Sequence, residues 1–196
     1  MWYVIQTITG KEQELVDMIK QIMTYERKKY QRCFVIYQEC AYRVHGAPEF
    51  HIEPLFPSYV FVETDTPEEF FLELKRVPRM SKILRTDGYF WSIYKEEEKF
   101  LQNIIEGNKK EAAALEYYLI YPSLVQVDKE GKIINAEGFL SCYIDKIVKQ
   151  RLRKRSVVLE IPFGGKKKKV RLGIRLEGDD MNHENQKFLE LSKGEF

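Results

Sequence analysis

PLFPSYVFVE, residues 54–63, sets four large apolar side chains, Leu55, Phe56, Tyr59 and Phe61, into ten residues that also hold two prolines. Proline has no amide donor, so Pro54 and Pro57 keep the first half of this stretch out of the interior of a sheet ladder. From Tyr59 the order YVFVE alternates as a strand does, with Val60 and Val62 on one side and Tyr59, Phe61 and Glu63 on the other. One side is aliphatic, the other aromatic. Two packed faces, or one packed face and one aromatic docking face, both account for that pattern.

Working outward, WYVIQTI at the amino end is β-rich, and Thr9-Gly10 leads into a helix in which Leu15, Met18, Ile19 and Ile22 recur at helical spacing. CFVIYQECAYRV, residues 33–44, reads as a strand, and the polar HGAPEFH that follows reads as a loop. Thr66-Pro67 opens a second helix, with proline at a tolerated first-turn position. A short strand is expected at 81–85, a turn at Asp87-Gly88, and a third helix in KEEEKFLQNIIEG that stops at Gly107. The order β, α, β, β, α, β, α predicts an α+β class, with residues 1–106 forming an α/β sandwich in which helices cover a sheet.

Residues 107–116 are small and charged with no core stripe, and read as a linker or as a helical extension. Beyond them LIYPSLVQV, DKEGKII, LSCYIDKIVK, SVVLEIPF and KKVRLGIRLE, with the turn Gly164-Gly165, predict a small β-barrel over 117–177. Residues 178–196 read as a tail without sustained pattern.

Composition narrows the function. Cys33, Cys40 and Cys142 are odd in number, without a CxxC pair or a histidine at ligand spacing, so neither a disulfide framework nor a metal site is expected. The amino end lacks a basic lead and a cleavage site, and no run of eighteen apolar residues occurs, so a cytoplasmic chain without membrane contact is expected. His45 and His51 flank a loop with no acid, nucleophile or phosphate cradle at a recognised spacing; no enzyme activity and no cofactor are expected. Gly164-Gly165 before four lysines has the wrong spacing for a P-loop and reads as a hairpin turn.

The net charge of +2 hides a segregation. Between Lys132 and Arg175 thirteen basic residues face three acidic ones, about +10, whereas the remaining 19 basic residues face 27 acidic ones, about −8. Lys149, Arg151, Arg153, Lys154 and Arg155 fall in one connection and Lys166, Lys167, Lys168 and Lys169 in another, a pattern suited to a phosphate backbone. Tyr143 and Phe163 are either base-stacking residues or core, and the alternation around Tyr143 favours core.

Taken in order, WYVIQTITGKEQE, PLFPSYVFVE, VPRMSKIL and GFLSCYIDKIVK through LEIPFGGKKKKVRLGI resemble the NusG family of transcription elongation factors over about residues 1–176. The resemblance implies an amino-terminal domain that docks on the clamp helices of the largest subunit of bacterial RNA polymerase and suppresses pausing, followed by a KOW (SH3-like) barrel. Trp2, Phe56 and Tyr59 would belong to the docking region, with Pro57 shaping the chain between them. Lys75 and Arg76 fall in a segment that in the family can touch non-template DNA. Phe163 matches a loop phenylalanine that in general members helps to bind a ribosomal protein or Rho.

Departures from the pattern are informative. Ser58 stands where FPGYV has glycine, Cys142 and Ile144 stand where a glycine and a polar residue are common, and both basic loops exceed a housekeeping pattern. The branch this resembles is LoaP, whose members support processive antitermination of long operons. The implied factor is a monomer whose KOW domain binds nascent RNA, a hairpin, through the two basic clusters. A general elongation factor linked to Rho or the ribosome through Phe163, and a ribosome-associated RNA-binding protein, are the alternatives. The β-branched run in VVLEI argues for a stable barrel.

Overall fold

The computed structural model describes residues 1–25, 29–44, 47–75, 90–107 and 117–179. The chain runs β1 (Trp2–Gln6), α1 (Glu12–Tyr25), β2 (Arg32–Val44), β3 (Ala47–Pro54), β4 (Tyr59–Glu63), α2 (Pro67–Lys75), β5 (Phe90–Ser92), α3 (Lys95–Gly107), β6 (Tyr117–Ile120), β7 (Ser123–Val127), β8 (Ile133–Ala136), β9 (Ile147–Arg151), β10 (Ser156–Phe163) and β11 (Lys166–Leu176). Two 3-10 segments, Gly138–Lys146 and Leu152–Lys154, flank β9. This is a mixed α/β fold.

YVFVE becomes a central strand. β4 pairs antiparallel with β1 on one edge and with the start of β2 on the other, in a sheet ordered β3-β2-β4-β1-β5. Its two sides enter different cores, as the alternation predicts. Val60 and Val62 pack with Ile5, with Leu15 and Ile19 of α1, and with Phe70 and Leu74 of α2. Phe61 faces a second cluster with Trp2, Val4, Phe34, Phe56 and the α3 residues Phe100, Leu101 and Ile104. Pro54 ends β3, the outermost strand, where a missing amide donor costs no ladder bond.

The helices start where local chemistry directs. Pro67 is the first residue of α2, with Glu68 and Glu69 in its first turn and Lys75 in its last, which matches the helix dipole at both ends. In α3, Glu97 reaches back to the Tyr94 amide at 3.3 Å while the Glu97 and Glu98 amides donate to the Tyr94 carbonyl. The helix ends at Gly107.

The second sheet is ordered β8-β7-β11-β10-β9, antiparallel except for the parallel pair β7 and β11. No ladder joins β8 to β9 among the described residues; the ends meet where the Ile133 amide donates to Gln150 Oε1 at 2.7 Å. Val157, Leu159, Ile161, Val170, Leu172 and Ile174 fill its inner side. The β10–β11 hairpin pairs Phe163 with Lys166 across Gly164 (φ +65°) and Gly165 (φ +70°), two positive φ values in a two-residue turn.

Three expectations are corrected. HGAPEFH is not wholly a loop: residues 47–54 form β3, because pairing with a thirteen-residue β2 outweighs their polar composition. LSCYIDK is not a strand but lies in the 3-10 segment, with Ser123 Oγ accepting the Leu140 amide and Ser141 Oγ donating to the Gly138 carbonyl. Tyr117–Ile120, read as the opening of the second unit, pairs in parallel with Val35–Gln38 of β2 in the first sheet. The expected strand at 81–85, the turn at Asp87-Gly88, the segment 108–116 and the tail beyond 179 lie outside the described residues.

The two sheets touch. A Cβ placed on Gly173 of β11 would overlap the Glu39 carbonyl oxygen of β2, so the strands cross at a distance only glycine permits. Beside that crossing Arg171 pairs with Glu53 of β3 at 2.5 Å.

Candidate partner-binding face

The aromatic side of PLFPSYVFVE is assembled by an unusual turn. Ser58 has φ +74°, a left-handed conformation that a residue with a side chain adopts at a cost of about 1–2 kcal/mol. Three contacts hold it: its amide donates to the buried Glu12 carboxylate at 2.7 Å, its carbonyl accepts the Thr7 amide at 2.8 Å, and its hydroxyl meets Thr9 Oγ1 at 2.7 Å. The Tyr59 amide then returns to the Phe56 carbonyl at 3.2 Å, which sets Phe56 and Tyr59 side by side. Pro57 stays exposed at the tip.

Phe56 and Tyr59 do not face solvent freely. Phe163, from the tip of the β10–β11 hairpin, stacks on Phe56 at 4.7 Å between centroids and 16° between planes. It also lies 5.6 Å from Tyr59 and 6.0 Å from Phe61. Phe56 is 1% exposed and Phe163 6%. Trp91 closes one side, edge-on to Tyr59 at 5.7 Å. The turn itself is anchored by the Gly165 amide, which donates to Glu97 Oε1 at 3.0 Å, and a Cβ on Gly165 would press on the Tyr94 ring at 3.4 Å.

Lys168 completes the contact. Its Nζ stands 3.9 Å from the centre of the Tyr59 ring, 5.1 Å from Phe163 and 5.5 Å from Phe56, a cation held among three aromatic faces. Burial pushes its pKa down to about 8, whereas the rings favour the charged form. Lys166, Lys167 and Lys169 are exposed, with Lys167 paired to Glu160 at 3.0 Å.

Other expected site residues are placed as follows. Trp2 lies in the core: it is 7% exposed and packs edge-on to Phe34 at 5.7 Å. Lys75 is exposed with its Nζ 4.6 Å over the Phe71 ring, and Arg76 lies outside the described residues. Lys149, Arg151, Arg153 and Lys154 are exposed along β9 and the turn after it. Arg155 departs from this set, because a bidentate pair to Asp179 at 2.7 and 2.6 Å and a bond to the Leu152 carbonyl engage its guanidinium. Tyr143 packs on Phe100 at 5.2 Å and accepts from Asn103 at 2.8 Å, so it is a seam residue between α3 and the second sheet.

In the register Lys149 stands opposite Val158, Val158 opposite Arg171, and Glu160 opposite Lys169. Partners in a ladder share a face, so Lys149, Lys167, Lys169 and Arg171 project from one side of the β9-β10-β11 sheet.

Sequence reasoning missed Glu12, Glu97, Trp91 and the Arg171–Glu53 pair. Both glutamates sit in charged helix starts that read as solvated; only the spacing of Glu97 three residues after Tyr94 hints at a capping role. Among the described residues no group of His, Cys, Asp and Glu side chains is arranged to hold a metal, and no helix is long and apolar enough to cross a membrane.

Residues 1–102 match the family described as transcription termination factor nusG. Among solved structures, one described as domain interaction in Thermotoga maritima NusG aligns with 88% of this chain and 93% of its own, at 17% identity and a TM-score of 0.47. A structure of the MjSpt4:Spt5 complex in its conformation B aligns with 88% of this chain and 92% of its own, at 15% identity and a TM-score of 0.33. No curated protein matches. The family match covers just over half of the sequence and includes β1, PLFPSYVFVE and most of α3, and the chain therefore belongs to the NusG family of transcription factors.

Proposed function

We propose that this chain is a specialised, non-enzymatic elongation factor of the LoaP kind that promotes processive antitermination. Its first module binds the clamp helices of the RNA polymerase largest subunit through the Phe56–Tyr59 face. Its second module, a KOW-type unit, holds a hairpin of the nascent transcript. Binding to the clamp lowers the free energy of the pause-resistant polymerase conformation and so shifts an equilibrium the enzyme already has. Holding RNA on the same chain raises the local concentration of that second contact, so modest RNA affinity suffices.

The observation that carries the RNA half of this reading is the set of exposed cations Lys149, Arg151, Arg153, Lys154, Lys166, Lys167 and Lys169 on β9, on the 3-10 turn after it and on β11. Phosphate contacts make affinity fall with salt, by a slope of about −0.7 per contact for single strands and about −0.9 for duplex. Binding of the full chain to a pool of structured RNAs, beside duplex DNA, at several salt concentrations tests it. Alanine at Lys149, Arg151, Arg153 and Lys154 is expected to weaken RNA binding at least tenfold and to flatten the slope by about 2 or more. Unchanged affinity and slope would overturn the RNA reading and return Phe163, as a contact for Rho or a ribosomal protein, to first place.

A further inference from the structure

Where α3 ends and the chain crosses into the second sheet, an open groove of about 450 Å³ lies between the last turn of α3, the joint at Tyr121 and Pro122, the first 3-10 segment and β11. That volume falls in the ordinary range for small-ligand sites. None of the seven exposed cations assigned to RNA phosphates lines it.

Two charged side chains on its wall are uncommitted. Arg175 stands opposite Leu124 in the parallel β7–β11 ladder, and the Leu124 carbonyl accepts the Glu137 amide at 2.8 Å, so both are rooted around one residue. Arg175 Nε is buried with no hydrogen-bond partner among the described residues, and Glu137, at the cap position of the 3-10 segment, makes no side-chain capping bond. Buried donors are nearly always paired, so an orphaned one on a groove wall points to an acceptor from outside the chain. The neighbouring polar groups are occupied: Asn103 donates to Tyr143 at 2.8 Å, and Ser123 Oγ accepts the Leu140 amide at 3.3 Å. Tyr121 and Phe139 supply aromatic wall, the latter braced edge-on by Phe100 at 5.3 Å.

The charges select the occupant. A bare anion meets Glu106 and Glu137, and a bare cation meets Arg175. A flat heterocycle with acceptors on one edge and donors on the next suits both. Guanine has that pattern: O6 and N7 accept from a guanidinium fork, while N1–H and the exocyclic amine donate to a carboxylate, which only accepts. We propose that the groove binds a guanine ring, with Arg175 on O6 and N7, Glu137 on N1–H and the amine, and Tyr121 or Phe139 against the ring face. The ring belongs either to an unpaired base of RNA or to a free guanine nucleotide. The inference does not depend on the phosphate-binding role of the seven cations.

The test uses the full chain and a thiol already in the groove. Cys142 is exposed and lines it, whereas Cys33 and Cys40 are buried, so iodoacetamide reads Cys142, and silence of the other two shows that the fold is intact. GMP is expected to protect Cys142 saturably, with AMP at least about fivefold weaker. In the wild type, IMP, which lacks the exocyclic amine, and 7-deaza-GMP, which lacks N7, are each expected to bind more weakly than GMP. Glu137→Ala should erase the first difference and Arg175→Met the second, a pattern that a merely structural role does not produce. The pentamers UUGUU and UUAUU separate the sources: protection by UUGUU at least about fivefold tighter than by GMP, and not by UUAUU, assigns an RNA base. Equal or weaker protection assigns a free nucleotide. No protection by GMP or UUGUU, or equal protection by AMP and UUAUU, overturns the proposal. Alanine at Lys149, Arg151, Arg153 and Lys154 should leave GMP protection intact, so loss of hairpin binding in that variant is not loss of this site.

Discussion

At the scale of single residues, Ser58 and Lys168 carry the most information. Ser58 keeps a left-handed backbone because Glu12, Thr7 and Thr9 all hold it there. Replacing it with glycine relieves about 1–2 kcal/mol of backbone cost and loses a hydroxyl bond worth about 1 kcal/mol. Ser58→Gly is therefore expected to change stability by less than about 1 kcal/mol, whereas Ser58→Val, β-branched at positive φ, is expected to cost more than about 2 kcal/mol in chemical denaturation. Lys168 has the pH signature. Its pKa is about 8 when docked against an ordinary 10.5, so the docked state binds fewer protons than the released one between those values. Docking is thus expected to be weakest below pH 8 and to strengthen as pH rises toward 10.5, read by falling acrylamide quenching of Trp91, which lies against the docked turn, in a Trp2→Phe background. Lys168→Met, which keeps the apolar stem and discards the charge, should flatten that profile. A flat profile in the wild type would show that the rings compensate the burial in full.

The alternation of Tyr59 and Phe61 against Val60 and Val62 was legible because it needs only a period of two. The buried glutamates were not. Glu12 meets its partner 46 residues away and Glu97 reaches one 68 residues away, and nothing within a local window distinguishes them from solvated charges.

At the scale of elements, the β10–β11 hairpin was read correctly down to its turn, since SVVLEIPF, two glycines and a second β-rich run specify it locally. What that hairpin touches was not readable from the same residues. Gly165→Ala imposes both an unfavourable positive φ and a methyl pressed on Tyr94. Undocking relieves only the second, so the variant is expected to raise Trp91 quenching beyond any loss of hairpin stability. β3 and the 3-10 segment Gly138–Lys146 were misread for one shared reason. In each, long-range partners, β2 in the first case and Ser123 and Phe100 in the second, overrode local composition.

At the scale of the whole molecule, one apolar cluster runs from Trp2 and Phe61 through Phe56 and Phe163 into the inner side of the second sheet. The two modules are accordingly expected to unfold in a single transition. Gly173→Ala forces β11 away from the Glu39 carbonyl, a backbone neighbour that cannot turn aside. It is expected to cost about 1–3 kcal/mol and to split the calorimetric trace into two. A single unshifted transition would show that β11 and β2 are not held at this crossing. The opposite charges, about −3 over residues 1–106 and about +10 between Lys132 and Arg175 by residue count, add a weak attraction that salt screens over about 8 Å at physiological ionic strength. Rising salt should therefore loosen docking and RNA binding together.

The parallel strand Tyr117–Ile120 bears on how far the modules can part. It is stitched to β2, and the next strand, already part of the second sheet, begins at Ser123. Only Tyr121 and Pro122 lie between, a joint that spans at most about 7 Å when fully extended. As long as that stitch holds, the second sheet is moored to β2 through its first strand, like a gate hung on a post, and any separation of the two sheets has to begin at their far ends.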